Sequence, residues 1–210
     1  MTDLNDVGDP ERPVLEEAVE YETPWVTAGY DLVEQPDGST KRYYWAELPP
    51  AAVVVAVHED DLLLVEQYRP AVRETQLELP AGVVEDGETY AEAGARELHE
   101  ETGFAAGETD LLQEFWTSTG LLRHRRGIVL ARDLEEVGAV DRDDSEFLVP
   151  RTVSVADAVS VARAQPTNDA TIEGNLLAKG AGRLKGRFPY RATPAAGPGD
   201  LSPRGQTTAP

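Results

Sequence analysis

The chain has 210 residues, enough for one domain with a sizeable core and some extra segments. Asp and Glu outnumber Lys and Arg by 39 to 19, and the formal charge of −20 excludes a surface built for nucleic acid or an anionic membrane. The absence of cysteine excludes a disulfide framework and a thiol nucleophile, and no apolar run approaches the ~20 residues that span a bilayer.

A charge this large self-repels in dilute buffer, so a halophilic, salt-rich cytoplasm is the expected setting, with an acidic mesophile as the alternative. The start, Met1-Thr-Asp-Leu-Asn-Asp, lacks a basic, apolar signal, which also points to a cytoplasmic protein. Residues 1–23 are acidic and turn-prone, with Gly8, Pro10 and Pro13, and read as a mobile arm with a short helix over Leu15–Glu20. The domain proper is expected over 24–186. It opens with a hairpin at 24–48, Trp25–Val33 and Arg42–Leu48 around Pro36-Asp-Gly-Ser, rich in aromatic and β-branched residues. Ala51–Val57 and Asp61–Tyr68 form a second, more buried hairpin with His58 at its turn.

Gln67-Tyr-Arg-Pro70 and Leu77-Glu-Leu-Pro-Ala-Gly82 then lead into the stretch on which the rest depends, Gly82 to Phe104. Thr89 and Glu92 form a capping box that starts a helix, and Gly103 after Thr102 stops it in the left-handed conformation. At about 100° per residue, Ala91, Ala95, Leu98 and Thr102 share one stripe, the expected buried face. Glu97, Glu100 and Glu101 share the adjoining arc. Three carboxylates so close repel one another and oppose the helix dipole, a cost that a cation removes. Clustered carboxylate oxygens suit a hard divalent ion, and Mg²⁺ leaves positions for water and substrate phosphate. The chemistry indicated is metal-assisted attack on a phosphate, with Arg96 paired to Glu88 or Glu100 and orienting the cluster.

Gly82, Glu88, Arg96, Glu97, Leu98, Glu100, Glu101, Gly103 and Phe104 together resemble a complete Nudix box, without a departure at any of the nine positions. The resemblance implies an α/β fold, an α/β/α sandwich with a mixed sheet. It also implies Mg²⁺ or Mn²⁺ on the loop and helix, and hydrolysis of a nucleoside diphosphate joined to another group. The stretches at Gln67 and Leu77 resemble the ADP-ribose pyrophosphatase branch of that family. From that branch follow a metal contact by the Ala81 carbonyl beside Glu97, Glu100 and Glu101, substrate contacts by Arg69 and Glu78, and a homodimer that shares its N-terminal strands.

Beyond the box, Leu111–Trp116 and Gly127–Arg132 read as strands. Between them Ser118-Thr-Gly120 departs from the branch, which has Ser-Pro-Gly followed by acidic residues. Arg123, Arg125 and Arg126 instead stand out against the acidic background. Arg123 is the candidate substrate contact among them, for a phosphate or another anionic group, and a basic hairpin tip paired to the acidic surface is the alternative. By resemblance, a carboxylate in the loop at Asp143, Asp144 or Glu146 orients or deprotonates the attacking water; Glu146 completes a catalytic set with Glu100 and Arg96. Val153–Ala164 and Thr167–Lys179 read as closing helices, the second resembling the branch's terminal helix. Residues 187–210 are rich in Pro, Gly, Ser and Thr and are expected to be disordered. ADP-ribose is the favoured substrate. Another nucleotide sugar or dinucleotide is the second reading, and a non-catalytic nucleotide sensor the third.

Overall fold

The computed structural model describes residues 11–138, 148–163 and 167–184. In chain order it has strands β1 (Val14–Glu22), β2 (Thr27–Glu34), β3 (Thr40–Glu47), β4 (Ala51–His58), β5 (Asp61–Arg69), β6 (Glu74–Glu78) and β7 (Ala81–Val83). Helix α1 (Tyr90–Thr102), strands β8 (Phe104–Trp116), β9 (Leu122–Arg123), β10 (Arg125–Glu136) and β11 (Leu148–Ser154), and helices α2 (Ala158–Ala162) and α3 (Asp169–Gly180) follow.

The larger sheet has the order β11-β5-β4-β10-β8, with β6 on β5 and β7 on β4. It is mixed, because β10 runs parallel to β4 with Ile128 beside Val53, while β8 and β5 run antiparallel to their neighbours. Strand β4 is apolar at nearly every position because both of its faces are covered. Val53 and Val55 pack with Leu62, Leu64, Ile128 and, from α3, Ala170 and Ala178. Val54 and Ala56 pack on the opposite face with Leu63, Ala131 and Leu98 of α1. Helices thus cover both faces, as the sandwich expectation requires, and each fully buried Leu or Ile contributes ~1.5–3 kcal/mol.

The smaller sheet, β1-β2-β3-β9, contains the expected N-terminal hairpin. Its first strand corrects the sequence reading, since Leu15–Glu20 is part of β1 and neither a helix nor a loose arm. Six residues cannot hold an isolated helix, whereas pairing with β2 satisfies their backbone directly. The helix expected from Val153 is also shortened. Val153 pairs with Leu62 at the edge of the large sheet, which leaves only Ala158–Ala162 helical. Helix α3 begins as expected from a polar cap, the Asn168 side chain accepting from the Thr171 amide at 2.8 Å. The expectations for the 187–210 tail and the first ten residues lie outside the described residues. No helix among the described residues is long and apolar enough to cross a membrane.

Candidate active site

Helix α1 is fixed at both ends by its own sequence. Thr89 accepts from the Glu92 amide at 3.3 Å while the Glu92 carboxylate accepts from the Thr89 amide at 2.8 Å, and Gly103 closes the helix at φ 78°. The loop before it is fastened to the sheet through the Val84 amide, which donates to the Pro50 carbonyl at 2.9 Å. The buried face differs from the expected stripe. Ala93, Gly94, Leu98, Glu101 and Thr102 are buried, whereas Ala91 and Ala95 are only half-buried, because Gly94 lets the helix settle directly onto Val129.

Arg96 spends its donors on the box itself. Its Nε and one terminal nitrogen grip both oxygens of Glu88 at 2.9 and 3.0 Å, and that nitrogen also reaches the Val83 carbonyl at 2.9 Å. The other terminal nitrogen holds Glu97 at 2.8 Å and Glu100 at 3.1 Å. The sequence posed Glu88 or Glu100 as alternatives; the guanidinium takes both, and Glu97 as well. This bond to Arg96 chiefly holds the Glu88 carboxyl below its ordinary pKa, and the bond to Glu88 in turn raises that of Arg96.

Glu101 is buried and accepts from the Ala81 amide at 3.0 Å, which ties the helix to the loop from the far side. Between them, a Cβ at Gly82 would lie 2.0 Å from a Glu97 carboxylate oxygen, so a larger residue here would push the Glu97 carboxylate out of its place against Arg96. Among the described residues no group of three acidic or imidazole side chains forms a ready-made metal cage, since Arg96 lies across Glu97 and Glu100 while Glu101 faces Ala81. The donor chemistry nevertheless fits a hard divalent cation. Three carboxylates lie within five residues of one helix, and the backbone at Ala81 comes within hydrogen-bond reach of one of them.

On β5 and β6, Arg69 grips Glu78 through contacts of 3.1, 3.1 and 2.5 Å; the Glu78 carboxylate is buried and the guanidinium partly exposed. These two predicted contacts therefore occur as one pair. Arg123 goes elsewhere. It bonds Glu17 at 2.5 Å and Asp31 at 2.8 Å and lies 3.8 Å from the centre of the Trp45 ring, within the small sheet. Arg125 holds Glu114 at 3.0 Å, and Arg126 holds Asp169 and Glu173 at 2.9 and 3.4 Å. All three arginines are therefore held by carboxylates in the structure. Asp143, Asp144 and Glu146 lie outside the described residues.

Two features escape the sequence reading. The Ala81 amide as anchor of Glu101 depends on a contact 20 residues long that no local pattern encodes. Gln76 is buried between Glu74 and Glu78, and the strand alternation of Glu74-Thr-Gln-Leu-Glu78 is the signal that points to it.

Comparison with known proteins agrees with this geometry. A family model described as NUDIX domain matches residues 47–178. The chain is 33% identical over 142 residues to the ADP-ribose pyrophosphatase of Bacillus subtilis (strain 168), covering 66% of this chain and 76% of that protein. It is also 33% identical over 130 residues to the methanol dehydrogenase activator of Bacillus methanolicus, covering 60% and 70%. A crystal structure of an ADP compounds hydrolase superposes with a TM-score of 0.73 at 23% identity, covering 83% of this chain and 97% of that one, which establishes the likeness of fold.

Proposed function

The chain belongs to the Nudix family and is a pyrophosphohydrolase, and from that premise we propose that it cleaves nucleoside diphosphate derivatives, with ADP-ribose the favoured substrate. The products are AMP and ribose 5-phosphate. The observation that carries this reading is the Arg96 fork, which holds Glu88, Glu97 and Glu100 together while Glu101 is tied to Ala81.

Glu97, Glu100, Glu101 and the Ala81 carbonyl would hold Mg²⁺ or Mn²⁺. Bound there, the ion supplies positive charge to the phosphate oxygens and lowers the pKa of the attacking water. Arg96 keeps the carboxylates oriented as a single unit, a role that side chains behind metal ligands commonly have. The water oxygen bonds to phosphorus, the bridging oxygen leaves with the other phosphate, and the water proton passes to Glu146, a part assigned on the family resemblance alone. Arg69 and Glu78 bind substrate on the β5–β6 hairpin. Arg123 is reassigned to the small sheet, because its guanidinium is shared by Glu17 and Asp31 and lies on Trp45.

A homodimer through the small sheet is part of the proposal, supported by exposed Val19, Tyr21 and Trp25 on and beside β1. A cytoplasmic, salt-rich setting rests on the net charge of −20. Melting the protein across KCl concentrations tests the latter; the melting temperature is expected to climb from dilute to molar salt, and a flat or falling series rejects it.

The direct test is Mg²⁺-dependent AMP release from ADP-ribose in molar KCl, beside a panel of nucleotide sugars and dinucleotides. Preference for ADP-ribose is expected. Preference for another panel member supports the second reading, which the altered segment at Thr119–Arg126 favours. Binding without hydrolysis of any member supports the nucleotide sensor.

A further inference from the structure

The β5–β6 hairpin carries a cavity of about 410 Å³ whose polar lining comes from Arg69, Glu74, Gln76, Glu78, Thr167 and Asn168. Gln76 is only 7% exposed, and its Oε1 has no hydrogen-bond partner. The orientation of the amide is settled by its neighbour. Gln76 Nε2 donates to the Glu74 carboxylate at 3.2 Å, and turning the amide over would set its oxygen against that carboxylate. Directly across the ladder, Gln67 also has an unpaired, buried Oε1. A buried acceptor without a partner is costly, and a ligand that brings a donor recovers the cost.

We propose that Gln76 is a specificity residue whose Oε1 accepts a hydrogen bond from a sugar hydroxyl on the part of the substrate beyond the cleaved pyrophosphate. This rests on the reading of the chain as a hydrolase of nucleoside diphosphate derivatives. The charge of the lining selects the occupant. Arg69 is matched by Glu78, and Glu74 adds one further negative charge, so a phosphate is disfavoured and a neutral group admitted. No aromatic ring lines the cavity among the described residues, which removes the stacking platform a base would use. What remains is a lining rich in acceptors, which suits a polyhydroxyl group. Its position is also suitable. Glu78 lies three residues before Ala81, so the chain places the cavity wall no more than ~11 Å from the loop that meets Glu101.

The test titrates ribose 5-phosphate and butyl phosphate, which carries the same charge without sugar hydroxyls, into the full chain and into Q76M. The unaltered protein is expected to bind ribose 5-phosphate the more tightly. Q76M should lose about tenfold in affinity for ribose 5-phosphate and keep its affinity for butyl phosphate, a loss in line with one buried hydrogen bond. Equal binding of the two compounds by the unaltered chain overturns the proposal whether or not Q76M folds. So does a Q76M that binds ribose 5-phosphate as before, or one that loses both compounds alike. Sugar-selective binding in a chain that hydrolyses nothing leaves the subsite standing and removes the hydrolase reading, so the two failures are distinguishable.

Discussion

Two arginines organise two carboxylate networks in this molecule, and they differ in how far along the chain they reach. Arg96 gathers Glu88, Glu97, Glu100 and the Val83 carbonyl, all within 13 residues of itself. Arg123 gathers Glu17 and Asp31 from 106 and 92 residues away and lies on Trp45, which itself donates to Asp31 at 2.9 Å. The first network is written in one loop and one helix, where spacing alone sets who can meet. The second exists only once β1, β2, β3 and β9 have assembled. Proximity in sequence thus marks the network proposed to do the chemistry, and distance marks the one that holds a sheet together.

The widest way to break this contrast is at Glu101. E101Q removes one charge from the proposed ligand set yet keeps an oxygen that accepts from the Ala81 amide. Activity should therefore fall by about 10²–10³-fold, the scale of several kcal/mol of charge stabilisation, while the melting temperature stays near that of the parent. Near-parental turnover would remove Glu101 from the metal set.

R96K comes next. Lysine offers a single point charge where the fork bridges three carboxylates, so activity or metal affinity should drop ~10–100-fold. Steady-state kinetics across a Mg²⁺ series measures it, and an R96K enzyme with parental metal dependence would show that the carboxylates need no common clamp.

R123M should behave in the opposite way. Losing the stacked cation and three partly exposed ion pairs, to Glu17, Asp31 and Glu47, is worth about 1–2 kcal/mol after solvent screening, seen as a fall of roughly 2–8 °C in melting temperature. Turnover per folded molecule should be unchanged. A selective rise in KM with no loss of stability would restore Arg123 to the substrate.

The same contrast explains what could be read in advance. Thr89, Glu92 and Gly103 encode the helix limits by local rules, and the structure follows them. The direction in which the helix faces the sheet was harder, because it depends on Gly94 meeting Val129, a contact between distant segments. Leu15–Glu20 reads as a helix in the sequence and folds as a strand for a similar reason. Its local composition allows a helix, and only the pairing of Glu16 with Leu32 and Ala18 with Tyr30 makes it a strand. The cluster Arg123–Arg126 was legible as unusual, but its partners, from Glu17 to Glu173, could not be inferred from spacing.

The smallest effect concerns pH, and it probes whether the local network is coupled as one unit. Arg96 holds the Glu88 carboxyl below its ordinary pKa. A carboxylate depressed in the folded state adds stability that is fully present above its unfolded pKa of about 4.3, and that stability is lost as pH falls through the lower folded value. E88Q cannot titrate. It should therefore be the less stable protein at neutral pH, and its deficit should shrink progressively below about pH 4.3, where the parent begins to lose the same contribution. Denaturant melts of both proteins between pH 7 and pH 3 measure this. Parallel curves throughout would mean that Arg96 binds Glu88 without favouring its charge, so that the fork would be a matter of geometry alone.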